Sequence, residues 1–446
     1  MLPETRYAEN GGVHIAYQVV GEGPPDIVLV PEFWHSIEAQ WEEPALTSFL
    51  RRLSSLGRLI VFDQRGTGVS DPLPLDEVPS LEQGLDDITT VLEEVSSTQA
   101  VLVGMGGGGS LSMLFAATHP DRTAGLVLVN SFPRLSQADD YEWGRAPAVE
   151  EEVLHVMRTG WGRGVLLDVV APSKVGDEQF RQWWARYQRL GSSPGTIIRV
   201  RRMLDELDVR DVLQSIRSPT LVLHRSGNTF VRVEHGRYLA EHIPGARYVE
   251  LPGSDYFAFL GNSDVFLEEI ERFVKGLSRA PEADRVLATV LFTDIVGSTK
   301  RAAELGDRRW AGLLSDHHAV VRRELERFRG NEVDTAGDGF FATFDGPARA
   351  VGCALAVRDG VRSLELEVRA GLHTGEVELG NGGARGLAVH IGQRVLAEAE
   401  AGEVLVSSTV KDLVAGSGLA FEDRGVHTLK GVPEPWRLFE VVASER

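Results

Sequence analysis

Two aspartates in the second half of the chain stand where a carboxylate can hold a divalent metal. Asp294 ends the apolar run of VLFTDIVGST, and Asp338 lies at the tip of a predicted hairpin in TAGDGF. A carboxylate at a strand end can bind Mg²⁺, while the backbone N–H groups of the following turn can face a triphosphate. Each aspartate alone has an ordinary alternative, because aspartate also caps helices and favours tight turns. The candidate phosphate-binding residues of the turn are Val296, Gly297, Ser298 and Thr299.

A glycine-rich stretch in the first half, VLVGMGGGGS, has two interpretations. Its G-x-G-x-x-G spacing is typical of a dinucleotide-binding loop, but such a loop follows the first strand and precedes an acidic residue about 20 positions later. Neither requirement is met. The alternative is the strand-turn-helix elbow G-x-S-x-G, in which Gly106 occupies the position of the nucleophile. We therefore predict a catalytic turn without its nucleophile.

The stretch FDQRGTGVSDP supports the elbow, because it resembles the D-x-R-G-x-G-x-S signature of the α/β-hydrolase family. The resemblance covers roughly residues 10 to 277 and implies an acid after a late strand and a histidine after the last one. Those positions hold Asn228 and Tyr256. Together with Gly106 they can neither attack a carbonyl nor shuttle a proton, so we expect no ordinary serine-hydrolase chemistry. The domain is either a scaffold or a binder of a small apolar ligand beneath a helical cap.

The pair FTDIVGST and TAGDGF, followed by VRAGLHTGEV and LKGVPEPWRLFEV, resembles the class III nucleotidyl cyclases from about Val286 to Val442. The resemblance implies a ferredoxin-like βαββαβ core and a head-to-tail homodimer that converts ATP to cyclic AMP and pyrophosphate. Asp294 and Asp338 would bind two Mg²⁺ or Mn²⁺ ions per site, with the carbonyl of Ile295 as a further ligand. Such ions lower the pKa of the ribose 3′-hydroxyl and neutralise the triphosphate, which makes in-line attack feasible.

Three further positions carry over from the same family. In LAVHIGQRV the family has an asparagine that orients the nucleotide and, four residues later, an arginine that stabilises transition-state charge. Arg394 is that arginine, whereas His390 replaces the asparagine. Lys430 matches a lysine that reaches the phosphates, although a surface lysine is its ordinary alternative.

The positions that select the base depart from the family. Adenine-selecting members have a lysine where this chain has Asp334, and their partner acid or threonine aligns near Gly383. Without that pair the site is expected to discriminate poorly between ATP and GTP, because selectivity comes from buried groups that the wrong base leaves unpaired. Aspartate can also accept hydrogen bonds from guanine, so GTP stays open as a substrate.

Two different folds are needed to position these residues. In residues 1–277, apolar runs such as DIVLV and RLIVF alternate with helical spacing, which predicts an α/β domain with a helical cap at about 132–215. The polar segment 278–285 is the predicted linker. Residues 286–446 combine helices with antiparallel strands, which predicts an α+β domain.

Composition limits the partners. The formal charge of −19 comes without a basic run, so we expect neither nucleic acid nor a membrane surface as a partner. The single cysteine, Cys353, excludes an internal disulfide. The N-terminus lacks the pattern of a signal peptide and no segment is typical of a membrane span, so we predict a cytoplasmic protein.

The sequence thus predicts a cytoplasmic class III adenylate cyclase with a degenerate hydrolase-like domain that regulates or supports it. Three alternatives stay open: a guanylate or unselective cyclase, a nucleotide-binding pseudocyclase that transmits ligand occupancy, and a hydrolase that acts through unconventional residues.

Overall fold

The computed structural model describes residues 2–74, 77–277, 285–380 and 383–442, without the side chains of 379 and 380. The chain divides into two compact units, Met1–Ala283 and Asp284–Arg446. The predicted linker 278–285 lies outside the described residues except for Arg285, which already belongs to a strand. No helix of the described ranges is long and apolar enough to span a bilayer.

The first unit is built on a mostly parallel sheet of eight strands. They are β1 (Arg6–Asn10), β2 (Val13–Val20), β3 (Asp26–Val30), β4 (Arg58–Phe62), β5 (Ala100–Met105), β6 (Thr123–Val129), β7 (Thr220–Arg225) and β8 (Arg247–Leu251), in the order β1-β2-β4-β3-β5-β6-β7-β8. Only the β1–β2 and β2–β4 pairs are antiparallel. The inner strands are buried over nearly their whole length, as continuous apolar runs in a parallel sheet require.

Helices cover this sheet and fill the interval between β6 and β7. The helices of the first unit are α1 (Pro44–Ser54), α2 (Leu81–Glu94), α3 (Gly107–Thr118), α4 (Pro147–Gly160), α5 (Leu167–Val170), α6 (Glu178–Gly191), α7 (Pro194–Glu206), α8 (Val233–His242) and α9 (Ser263–Gly276). A capping box between Ser80 and Gln83 starts α2, which satisfies two backbone groups at its N-terminus. The stretch predicted as a cap contains α4 to α7.

The second unit is a mixed sheet with helices on both faces. Its strands are β9 (Arg285–Ile295), β10 (Asn331–Ala336), β11 (Gly339–Phe344), β12 (Val368–Gly380), β13 (Gly383–Arg385), β14 (Val404–Ser407), β15 (Ala420–His427) and β16 (Trp436–Val442). Its helices are α10 (Ser298–Leu305), α11 (Asp307–Arg327), α12 (Pro347–Gly360), α13 (Leu387–Glu398) and α14 (Ser408–Leu413). The sheet order is β10-β11-β9-β12-β14-β16-β15, with β13 paired to β12. The elements β9, α11, β10, β11, α12 and β12 follow the predicted βαββαβ order, so both predicted fold classes are confirmed.

The central strand β9 separates two layers of helices. Leu291 and Ile295 pack into the cluster that includes residues of α11 and α12, whereas Val290 and Phe292 pack with Ala388 of α13. Successive strand residues point to opposite faces, so the next residue in the second series, Asp294, lies on the face that carries α13.

Glycine allows α13 to lie close to the sheet. A Cβ atom at Gly371 of β12 would overlap the backbone nitrogen and Cα of Leu396 in α13. We expect Gly371→Ala to lower the free energy of unfolding of the second unit by roughly 1–3 kcal/mol, because the helix backbone must move away. Calorimetric unfolding of the full-length chain measures the effect.

The matched control is Gly312→Ala, at a helical position of α11 where a Cβ meets nothing within 4 Å. It should leave stability unchanged or raise it by up to about 1 kcal/mol. Equal effects of the two substitutions would contradict the close packing of α13 on β12.

Candidate functional site

The two predicted metal-binding aspartates meet at one end of β9. Asp294 is the second-to-last residue of that strand. The hairpin of β10 and β11 is paired with β9 so that Phe340 is opposite Thr293, which brings its tip beside the strand end. There Oδ2 of Asp338 accepts a hydrogen bond from the N–H of Ile295 at 3.3 Å. The fold therefore places two carboxylates from distant parts of the chain at one point.

An arginine that sequence reasoning missed completes this group. Arg369 of β12 is directly opposite Asp294 in the strand register, and its Nη2 lies 3.0 Å from Oδ2 of that aspartate. Both side chains are about one-third exposed (32% and 33%), and an ion pair this open contributes little stability. The guanidinium group thus holds the carboxylate with a bond that another cation can replace at small cost.

The donor set fits a hard divalent cation. Two carboxylates beside a strand end, with backbone carbonyl oxygen nearby, are the ligands that Mg²⁺ and Mn²⁺ prefer, and Mg²⁺ is commonly held by one or two carboxylates plus substrate phosphates. Within the described ranges, no group of three or more His, Cys, Asp or Glu side chains is placed to hold a metal. The remaining ligands of a cation bound between the two carboxylates would have to come from the backbone, water or the phosphates of a substrate.

The turn after β9 offers backbone N–H groups to an anion. Gly297 adopts the left-handed conformation (φ 67°) as the N-cap residue that precedes α10, and no side chain caps that helix end. The N–H of Val296, however, already donates to the carbonyl of Glu367 at 2.9 Å. Val296 was predicted to bind phosphate, and its paired N–H argues against that role, so the candidates that stay are Gly297, Ser298 and Thr299.

The predicted cationic residues lie on the outer side of α13 and on the turn beside it. Buried Ile391 and Val395 fix one side of the helix, which leaves His390 exposed and Arg394 half-buried. Leu429 packs into the same hydrophobic cluster as Ile391 and Val395, and it anchors the turn that bears exposed Lys430. Among the described residues, His390, Arg394 and Lys430 form no hydrogen bond or ion pair, either with the two aspartates or with any other group.

The two predicted base-selecting positions lie on β10 and β13, which come close to each other although β10 pairs with β11 and β13 with β12. A Cβ at Gly383 of β13 would lie 3.4 Å from Cγ1 of Val333, the residue before Asp334. Gly383 has φ +108°, a conformation that disfavours the acid or threonine of the family pattern. Asp334 is exposed opposite Phe341, and its carboxylate has no partner in the described part of the chain.

In the first unit, the elbow at Gly106 keeps the strained backbone of a nucleophile turn. Gly106 has φ 51° and ψ −118° and precedes α3. A Cβ there would overlap the hydroxyl of Tyr256 and Oε1 of Glu32. The space that a nucleophile's side chain would need is therefore filled by a carboxyl group and a phenol.

Glu32 is the second functional group that sequence reasoning missed. Its Oε1 accepts hydrogen bonds from the N–H of Gly107 (2.9 Å) and from the hydroxyl of Tyr256. Burial raises the pKa of Glu32 to about 8, although the N–H of Gly107 and the charge of Arg145 act in the opposite direction. The backbone N–H that follows a nucleophile would bind an oxyanion in a hydrolase, and here a side-chain carboxyl occupies it.

Asn228 and Ser110 each form local hydrogen bonds, and within the described ranges neither joins a proton relay with Tyr256. Oδ1 of Asn228 accepts the N–H groups of Phe230 and Val231 (3.0 and 3.1 Å), which closes its own loop. Ser110, the nearest alternative hydroxyl, is fully buried and donates to the carbonyl of Phe132 at 2.6 Å. Neither side chain is placed to replace a catalytic serine or its base.

A cavity of about 60 Å³ opens beside the elbow. We call it the elbow cavity; Glu32 lines it together with Trp34, Trp183, Tyr187, Tyr256, Phe257 and Phe259. Helix α6 of the predicted cap supplies Trp183 and Tyr187, and the indole N–H of Trp183 donates to the carbonyl of Ala39 at 3.1 Å. The cavity wall therefore combines these aromatic rings with aliphatic side chains, among them Leu29, Leu46, Met105 and Val129, and contains one carboxyl group.

Comparison with known proteins separates the chain into the same two parts. Residues 48–263 match the alpha/beta hydrolase fold family, and residues 280–441 match the adenylate and guanylate cyclase catalytic domain. A pimeloyl-[acyl-carrier protein] methyl ester esterase of Nitrosospira multiformis is 24% identical over 271 residues, which are 59% of this chain and all of that protein.

Two solved structures are similar to one part each. An esterase from Exiguobacterium antarcticum is 24% identical with a TM-score of 0.53, covering 61% of this chain and 100% of that one. The adenylyl cyclase CyaB of P. aeruginosa is 26% identical with a TM-score of 0.35, covering 36% of this chain and 96% of that one. The family matches thus show an alpha/beta hydrolase domain at residues 48–263 and an adenylate and guanylate cyclase catalytic domain at residues 280–441.

The packing of Glu32 and Tyr256 against Gly106 can be tested by a double-mutant cycle. Gly106→Ala should lower the free energy of unfolding of the first unit by roughly 1–3 kcal/mol, because the new Cβ overlaps Glu32 and Tyr256. In a Glu32→Ala, Tyr256→Phe background the same substitution should cost less, with about 1 kcal/mol remaining from the positive φ. Equal costs in both backgrounds, measured by calorimetry, would contradict this packing.

Proposed function

We propose that the second unit converts ATP to 3′,5′-cyclic AMP and pyrophosphate at a site completed by two copies of the chain. The observation that carries the proposal is the convergence of Asp294 and Asp338 at the end of β9, with Arg369 as the present counter-charge. Two divalent cations bound there would lower the pKa of the ribose 3′-hydroxyl and neutralise triphosphate charge.

The residues of this chain would divide the remaining work. Gly297, Ser298 and Thr299 would direct N–H groups to the triphosphate, and Arg369 would move from the carboxylate to a phosphate. The 3′-oxygen then forms a bond to the α-phosphorus, its proton passes to solvent, and the bond to the pyrophosphate oxygen breaks. Arg394 would stabilise the charge that develops in this step.

In this proposal, a second copy of the chain brings its cationic residues to the two aspartates, which such residues do not contact within the described part of one chain. The two carboxylates lie at the end of β9, whereas Arg394, His390 and Lys430 point outward from α13 and its neighbouring turn without a partner among the described residues. Leu387, on the same side of α13 as His390 and Arg394, is 54% exposed, so this side of the helix is accessible to a partner. A head-to-tail homodimer would bring each set of carboxylates to the other chain's α13.

A guanylate cyclase is the second candidate, because Asp334 is an exposed and unpaired carboxylate in the described part of the chain. It could accept hydrogen bonds from N1 and N2 of guanine, and Gly383 offers adenine no side chain.

The first unit is proposed to be a non-hydrolytic domain that binds a ligand or regulates the cyclase. Its predicted nucleophile position is Gly106, and Glu32 and Tyr256 occupy the space that a nucleophile's side chain would need.

Turnover of ATP and of GTP with Mn²⁺ and then Mg²⁺ tests the proposal, with cyclic nucleotide detected by mass. Asp294→Ala combined with Asp338→Ala should reduce product to background. Arg394→Ala should lower turnover on the order of 10²- to 10³-fold by removing a transition-state donor. The matched control is Arg308→Ala, an exposed arginine of α11, which should retain activity.

The outcomes separate the alternatives. A larger rate with GTP than with ATP would assign the guanylate activity to the Asp334 site. Absence of product from intact protein that still binds nucleotide would overturn the cyclase and leave a pseudocyclase.

A further inference from the structure

The elbow cavity contains one carboxyl group that its surroundings only partly satisfy. Oε1 of Glu32 is held by Gly107 and Tyr256, whereas Oε2 accepts no hydrogen bond from any described residue. The sequence predicts a purely apolar pocket. The cavity differs from that prediction because it contains this carboxyl oxygen. An apolar guest would leave that oxygen unpaired, which is costly in a buried site.

No cation of the first unit is available to pair with this oxygen within the described residues. The guanidinium group of Arg145 acts on Glu32 by charge, but it forms an ion pair with Glu150 (2.9 Å) and donates to the carbonyl of Phe230 (2.6 Å). The imidazole of His35, which lines the cavity, has Asp63 at one ring nitrogen (3.0 Å) and Gln40 at the other (3.1 Å).

Aromatic rings make up about half of the remaining wall, and aliphatic side chains form most of the rest. Phe257 and Phe259 are stacked with centroids 5.2 Å apart, and Trp183 lies 5.0 Å from Tyr187. The faces of such rings carry negative electrostatic potential and attract organic cations, most strongly where water is excluded. A carboxyl group within an aromatic wall is thus complementary to a positive guest and repels an anion.

We propose that the elbow cavity binds a small organic cation of the ammonium class, with its charge on Oε2 of Glu32 and its alkyl groups against the aromatic wall. The volume of about 60 Å³ corresponds to a few non-hydrogen atoms, given that one water needs roughly 10–15 Å³. The guest is therefore the size of an ammonium ion with small substituents. This site is independent of the proposed cyclase chemistry.

The proposal implies a characteristic pH dependence. Burial raises the pKa of Glu32 to about 8, so its carboxyl group is mostly neutral at pH 7 unless a bound cation favours the ionised form. The groups that face it are His35, Tyr187 and Tyr256 on the cavity wall and Arg145 beside it. A permanently charged guest prefers the ionised carboxylate, so its affinity should rise up to about tenfold per pH unit below that pKa and level off above it.

The test compares two probes of similar shape on the full-length chain by ligand-observed NMR: tetramethylammonium, which is charged at every pH, and neutral tert-butanol. At pH 9, tetramethylammonium should bind at least tenfold more tightly than tert-butanol, and its affinity should fall as the pH is lowered to 6. Glu32→Gln should remove both the preference and the pH dependence. The matched control is Glu241→Gln, an exposed carboxylate of α8, which should change neither.

Three results would overturn the proposal. The first is equal or tighter binding of tert-butanol at pH 9, and the second is displacement of tetramethylammonium by acetate. The third is a wild-type affinity for tetramethylammonium that does not rise with pH, which decides the question even if Glu32→Gln fails to fold.

Discussion

The antiparallel pairing of β9 with β12 is the constraint on which the second unit depends. It extends from Arg285 opposite Glu378 to Ile295 opposite Val368 without a shift in register. This ladder sets Asp294 opposite Arg369 and Gly371 opposite Phe292. The first pair forms the carboxylate end of the candidate site, and the second leaves room for the backbone of α13. A shift of β9 by one residue would turn its side chains to the other face of the sheet and break both pairs.

The two units differ in the residues that occupy their predicted catalytic positions. In the second unit, the predicted metal-binding carboxylates and the predicted arginine of α13 are present, whereas His390 and the predicted base-selecting positions depart from the family pattern. In the first unit, the elbow backbone at Gly106 survives while Glu32 and Tyr256 fill the space of the nucleophile. Glycine adopts this positive-φ turn at little steric cost, and the hydrogen bonds that Glu32 accepts there help to hold it.

The sequence alone was sufficient to identify candidate site residues that lie in short local motifs. Asp294, Asp338 and Gly106 stand in strand-end or turn motifs, and both fold classes follow from the alternation of strands and helices. It missed Arg369 and Glu32, because their partners lie 75 residues (Asp294) and 224 residues (Tyr256) away along the chain. It also assigned Val296 to phosphate binding, since no local pattern shows that the carbonyl of Glu367 already accepts its N–H. Contacts between distant segments decide these three cases.

The central claim is that one chain holds the carboxylates and another the arginine of each site. Mixing Asp294→Ala chains with Arg394→Ala chains, each inactive alone, tests it most directly. Random pairing makes half of the dimers mixed, each with one intact site of two, so cyclic nucleotide formation should recover to about a quarter of the wild-type rate. No recovery in a sample where mixed dimers are demonstrated by native mass spectrometry would contradict a site shared between two copies.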